Sequence, residues 1–496
     1  MDFLMNIWEF FATNILMRPA YFIGLMVIVG YALLGKKWYD VLAGGIKGTV
    51  GFMILQAGSG GLVRNFRPVL VGLRERFDLT ATVIDPYFGQ NAVYVGIYEV
   101  FGRSFGQAMI LLLIAFIVNI ILVRFSRFTK MRAVFTTGHI QVQQAATAFW
   151  LISFALPQFA DSNFGMLAIM AVLLGLYWAV GSDITIKPTQ ELTDGANFSI
   201  GHQQMFGVAV SSWVAGKIGE RDRKRGKEVK KINEIELPGF MSIFNDNMVC
   251  TALLMTLFFG AILLILGQEY LIYAGFLNPG ASFVFYILTM CLNFAVYLAI
   301  LQLGVRTFVT ELTQSFQGIS NKLLPGAVPG VDCAVTFGFG SANAVPLGFL
   351  AGATGQFLAI GTLILLNSPV LIIAGFVPVF FDNATIGLYA NEKGGLKAAL
   401  LLPFVSGLLQ VFGSAFIAHW VGMAVFGGYL GMWDWAVLWP AFTVVLRYLG
   451  VIGIALIAIF LIAIPQINAR KDKHYDLMTR DWEAYKAAKQ AEAEAK

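Results

Sequence analysis

Charge is what this sequence has least of. Charged residues make up 13% of the 496-residue chain, against 58% hydrophobic residues, and a soluble domain carries roughly twice that share of charge. A chain this poor in polar surface cannot face water on all sides, which excludes an ordinary soluble fold. Cysteine is also scarce. Cys250, Cys291 and Cys333 are far apart and form no C-x-x-C, so neither a zinc site nor a disulfide framework is expected. A long polar loop is missing too. The longest, near residues 217–238, is too short to bury a core of its own, so soluble chemistry is expected from other chains. Lys47 in "GGIKGT" does not sit in a Walker frame, and no nucleophile elbow or metal-ligand cluster occurs. ATP hydrolysis is excluded, and no cofactor, metal or nucleic-acid partner is expected.

What is present is lipid-soluble sequence. Apolar runs of roughly 20 residues, the length that crosses roughly 30 Å of hydrocarbon, recur from residues 20–35 to residues 441–464. Together with weaker runs they predict an all-α polytopic membrane protein of roughly eleven spans. Residues 1–16 read as an interfacial helix, residues 17–468 as the membrane domain, and residues 469–496 as a charged cytoplasmic tail. The run at 20–35 lacks a basic n-region and an A-x-A-like site, so a removable signal peptide is not expected. Lysine and arginine cluster at 36–37, 124–132 and 217–231, which places those loops in the cytoplasm and the N-terminus outside. The net charge of +5 is therefore an orientation signal first. Two weak segments, 51–63 ("GFMILQAGSGGLV") and 369–381 ("PVLIIAGFVPVFF"), read as broken or re-entrant. Interrupted glycine-rich stretches at 56–61 and 326–348 fall in corresponding places of two halves, roughly 17–232 and 233–468. That pattern predicts an inverted repeat with a midplane site.

The polar residues inside the apolar sequence are few and patterned. "TTGHIQVQQA" and "FSIGHQQMFG" each place Gly-His before glutamines, in a chain with four histidines. His139 and Gln143 share one face if their segment is helical, with Gln144 beside them. His202 and Gln203 follow Pro188, Gly195 and Gly201, which argue for a loop or hairpin tip. Non-helical backbone at membrane depth must be buried in protein or line a wet cavity. The bland alternatives are a helix cap near water for the first copy and an exposed loop for the second. Asp332 is the single acidic residue in "PGAVPGVDCAVTFGFG", where ionisation costs about 3 kcal/mol, unless backbone amides at a helix N-terminus hold it. Tyr87 follows Pro86 at a turn, and Ser59 lies in "QAGSGG". Imidazoles, amides, a phenol and one carboxylate together suit a polyhydroxylated ligand.

The combination "GFMILQAGSG", "TGHIQVQQA", "YWAVGSDITIKPTQELTDGANFSIGHQQMF", "LPGFMSIFNDNMV", "LLPGAVPGVDCAV" and "FFDNATIGLYAN" resembles the ascorbate-specific EIIC permeases of the bacterial phosphoenolpyruvate-dependent phosphotransferase system, over roughly residues 1–468. The resemblance implies a homodimer in the inner membrane, built from a substrate-holding core domain and a V-motif dimerisation domain and moving like an elevator. It implies L-ascorbate contacts at Pro86, Tyr87, His139, Gln143, His202, Gln203 and Asp332, with Ser59 and Gln144 nearby. Pro86 stands where a hydroxyl residue would be expected, so only a backbone contact is available there. The histidines and glutamines would donate to ascorbate oxygens while Asp332 accepts from a hydroxyl. A soluble IIB, charged through IIA, would phosphorylate the sugar, so the phosphoryl donor lies on another chain. The competing reading is an ion-coupled secondary transporter in which Asp332 and the histidines carry protons.

Overall fold

The computed structural model describes residues 10–494 except 17, 77–80, 104, 160–161, 235–246, 323, 325 and 376. Residues 1–9 of the expected interfacial helix lie outside the described residues, and Ala12–Leu16 form a π-helical turn. The chain then builds α1 (Pro19–Leu33), α2 (Trp38–Arg76), β1 (Ala81–Ile84), α3 (Pro86–Phe101), α4 (Phe105–Arg124), β2 (Ala133–Phe135), α5 (Gly138–Ala155), α6 (Asn163–Ile184), α7 (Ile186–Thr193), β3 (Ser199–Ile200) and α8 (Met205–Lys224). It continues with α9 (Asn247–Leu266), α10 (Phe283–Lys322), β4 (Val328–Val331), α11 (Ala344–Leu365), β5 (Leu371–Ala374), α12 (Asn383–Trp420), β6 (Gly428–Tyr429), α13 (Leu438–Lys471) and α14 (Trp482–Glu494).

Helices dominate, as expected. Among the described residues five stretches are long and apolar enough to cross a bilayer: Trp38–Gly58, Phe164–Thr193, Ala344–Leu365, Pro378–Trp420 and Trp433–Lys471. Segment 51–63 is a continuous part of α2, so the break expected there does not occur. The glycines serve packing instead. A Cβ on Gly51 would lie 2.7 Å from the Phe308 backbone of α10, and one on Gly24 would lie 1.9 Å from Thr49 Oγ1. Small residues thus let α1, α2 and α10 approach closely. Segment 369–381 is broken as expected, by β5 and a π-helical turn at Pro378–Asp382.

Six short strands were not visible in the hydrophobic pattern. They form two parallel three-stranded sheets, in the orders β5-β1-β6 and β2-β4-β3. The two sheets share one register. Ala133 and Leu371 pair with the first residues of the central strands, Val328 and Ala81, while Ser199 and Gly428 pair with the third, Gly330 and Val83. In both, the central strand comes from one half of the sequence and the flanking strands from the other. Pro329 in a central strand would ordinarily break a ladder. Here Val328 N donates to Arg132 O and Thr136 N to Gly330 O, so the Pro329 position faces β3. That strand pairs only from Gly330 onward, and no donor is missed.

The charged tail is folded onto this sheet. Tyr475, Met478 and Tyr485 pack with Ala133, Ile186 and Val328. Arg132, buried just before β2, bonds Tyr475 O at 3.0 Å and pairs with Asp476. Asp183, at the end of α6, accepts Arg132 N at 2.9 Å and the Tyr475 hydroxyl. Burial lowers the Arg132 pKa, against the opposing influence of Tyr475 and Asp183. Tyr475→Phe should destabilise the protein by about 1–3 kcal/mol, because Asp183 loses a donor where water cannot replace it. A thermal melt of the purified variant measures this.

Candidate functional site

Each strand of the β2-β4-β3 sheet is followed by a helix, so three helix N-termini gather at one end of it. Gly138 opens α5, Met205 opens α8, and Asp332 caps the 3-10 turn Cys333–Gly338 with its Oδ1 3.0 Å from Ala334 N. Unpaired backbone N–H groups and the positive ends of the helix dipoles favour an oxygen-rich or anionic group there. The cap assigns Asp332 the backbone-bonded position weighed for it, and leaves its carboxylate facing the histidine of the next loop.

That loop, between β3 and α8, carries His202, Gln203 and Gln204, all at most 2% exposed. Gly201 makes it possible. A Cβ there would sit 2.4 Å from Gly330 O, so only glycine lets the loop leave the sheet beside β4. His202 Nδ1 bonds Gln204 Oε1. Its Nε2 lies 3.8 Å from Asp332 Oδ1. Burial keeps the imidazole neutral by lowering its pKa from the ordinary 6.5, with Asp332 and the Gln204 bond opposing the shift.

The glutamines tie this loop to α5. Gln203 Nε2 donates to Gln143 Oε1 at 2.7 Å, and Gln144 Nε2 donates to His202 O at 3.0 Å while its oxygen accepts the Trp178 indole N–H. Gln203 Oε1, Gln204 Nε2 and Thr137 Oγ1 are buried without a partner among the described residues. They offer one acceptor, one donor and one hydroxyl at the same helix ends.

The structure therefore brings together Gln143, Gln144, His202, Gln203 and Asp332. His139 is the second residue of α5 and Tyr87 the second of α3, while Ser59 lies within α2. The side chains of these three lie outside the described residues. Pro86 is buried at the start of α3, after the central strand of the other sheet. None of the hydrogen bonds found among the described residues joins it to the His202 cluster. The stretch read as a loop before His202 contains α7, with Pro188 in its first turn.

Residues 14–439 match the family described as PTS system sugar-specific permease component. The chain belongs to this family. It is also 34% identical over 457 residues to a protein of Mycoplasma pneumoniae described as an ascorbate-specific PTS system EIIC component, covering 85% of this chain and 68% of that relative. The permease is an integral membrane protein, and the cluster at the end of β2-β4-β3 is its best candidate for a sugar site.

Sequence reasoning missed further polar residues around this permease site. Asp434 accepts Phe206 N at 3.2 Å, Gly207 N at 3.0 Å and Tyr177 Oη at 2.7 Å, capping α8 from the segment that follows β6. Asp382 accepts Trp433 N at 2.7 Å and Gln410 Nε2 at 2.5 Å. Cys333 lies with His202 and Asp332, their ligand atoms within 4.8 Å of one another. Asp434 sits in "GMWDWAV" and Asp382 in "VFFDNAT". A lone acid inside an apolar run, the signal used for Asp332, would have found both.

Two outcomes follow. Gly201→Ala should abolish substrate binding while the protein still purifies as a folded species, checked by binding and size-exclusion profile. The native pKa of His202 lies below its unfolded value, so the unfolded state takes up the proton first and stability is lost as pH falls below about 6.5. His202→Gln should flatten that fall in a series of melts at different pH.

Proposed function

We propose that this permease is the ascorbate-specific EIIC of a phosphotransferase system. Its substrate would sit between α5, the His202 loop and Asp332. The observation that carries the reading is the trio of buried atoms at those helix N-termini without a partner among the described residues, Gln203 Oε1, Gln204 Nε2 and Thr137 Oγ1. Ascorbate is a monoanion with several hydroxyls. Its hydroxyls donate to His202 Nε2, Asp332 and Gln203 Oε1, while its oxygens accept from Gln204 Nε2 and the exposed backbone amides. His139, Tyr87, Pro86 and Ser59 are the further contacts assigned to the site by the family resemblance, Pro86 through its backbone only. The likeness to the Mycoplasma pneumoniae protein supports the choice of sugar.

The cluster is closed to water, with Gln203 and Gln204 fully buried, so the substrate needs the surrounding elements to part. An elevator-like movement of a core domain against a V-motif dimerisation domain supplies that opening, in a homodimer of roughly eleven spans per subunit. The shared register of the two sheets supports an inverted repeat with this site at its centre. The N-terminus is periplasmic and the tail cytoplasmic. On the cytoplasmic side a separate IIB, recharged by IIA, gives up a phosphoryl group. The S–P bond of the phosphocysteine on IIB breaks, an O–P bond forms at the terminal hydroxyl of ascorbate, the hydroxyl proton leaves to solvent, and ascorbate 6-phosphate is trapped.

Vesicles containing the permease should accumulate ascorbate 6-phosphate only when phosphorylated IIB is present inside. Accumulation of unmodified ascorbate under a proton gradient would support the ion-coupled transporter instead. His202→Ala and Asp332→Asn should each weaken ascorbate binding by about 1–3 kcal/mol, and unchanged affinity in both would remove the site from consideration.

A further inference from the structure

A cavity of about 680 Å³ lies away from the sugar site, where α7, α8, α13 and the folded tail meet. Its two ends differ in chemistry. One wall is apolar, made by Val210, Trp213, Phe460 and Ile464. Trp213 is 64% exposed and Phe460 47%, and this wall runs into the outer face of α13, which belongs to a span. The other end carries Lys187, Lys393, Lys471 and Lys489.

The carboxylates at that end, Asp183, Glu191, Asp472 and Glu492, equal the lysines in number, but their ion pairs are unevenly shared and leave Lys471 out. Glu191 alone answers two lysines, at 2.7 Å from Lys393 and 4.0 Å from Lys187. Asp183 is already taken by Arg132 N and the Tyr475 hydroxyl. Lys489 is held by Asp472 and Glu492. Lys471 has no acidic partner among the described residues, and it is the last residue of α13, where the apolar wall gives way to charge. Ser212 lines the same cavity and is 2% exposed, with its hydroxyl unpartnered. An acceptor is wanted there.

We infer that this cavity binds an anionic phospholipid, its phosphate between Lys471, Lys187 and Ser212 and an acyl chain along Trp213 and Phe460. Basic pockets between spans are suited to such headgroups, and each nearby lysine favours anionic over zwitterionic lipid by a few-fold. A soluble phosphate would use the cationic end and leave the apolar wall empty, which is why a lipid fits better.

The test uses Trp213 as reporter in the full chain. The protein is placed in phosphatidylcholine vesicles containing an equal fraction of either brominated phosphatidylglycerol or brominated phosphatidylcholine. Quenching of Trp213, taken as the difference from Trp213→Phe, should favour phosphatidylglycerol about five-fold. The double variant Lys187→Gln/Lys471→Gln should bring the two to parity. Lys471→Arg should keep the preference, which separates lost charge from lost folding. Equal quenching by both lipids, a preference that survives the double variant, or displacement by inorganic phosphate would each overturn the proposal.

Discussion

The backbone pairing of very short strands is the constraint on which the rest of this structure depends. A membrane interior offers no water to hydrogen-bond an interrupted helix. At six places among the described residues the chain leaves its helices as a strand of two to four residues, and all six strands pair in parallel. Parallel strands send their chains out in one direction, so the helices that follow begin together. The convergence of α5, α8 and the Asp332 cap is thus a by-product of repairing the backbone. The candidate sugar site lies where that repair brings the helix N-termini together.

The same economy governs the side chains. Gln144 joins the Trp178 indole to the His202 carbonyl, and Asp434 closes the start of α8 from a segment far along the chain. Buried polar groups of this kind are costly when unsatisfied and rigidify when satisfied. Among the buried side-chain atoms left without partners in the described residues, Gln203 Oε1, Gln204 Nε2 and Thr137 Oγ1 lie together at the helix ends beside the β2-β4-β3 sheet.

Much of the site was legible in the residues because lone polar side chains in apolar sequence have few innocent explanations. The two Gly-His-glutamine stretches and Asp332 declared themselves that way, and Gln143, His202, Gln203 and Asp332 do meet. The strands were not legible. "VPGV" and "AVF" are too short to show a period, and their partners are distant in sequence. The glycines of 51–63 misled for the opposite reason, since a glycine that admits a neighbouring helix looks the same as one that ends its own. The tail read as solvated because its charge pattern is that of a surface helix. Only the pairing of Arg132 with Asp476, and of Tyr475 with Asp183, reveals that it has a dock. The contact of the His202 ring with Gln204 was not legible either, because composition does not say which amide faces the ring.

The exchange of strands has a consequence in time as well as in space. β2 and β3 leave the ribosome well before β4, the strand that must lie between them. Through that interval the first half holds two unpaired strand edges and a histidine loop with nothing to pack on. Neither half is a folding unit, since each lacks the centre of one sheet and the flanks of the other. Contacts so distant in sequence make for slow assembly, and the membrane insertion machinery must hold an open structure until the second half arrives to close it.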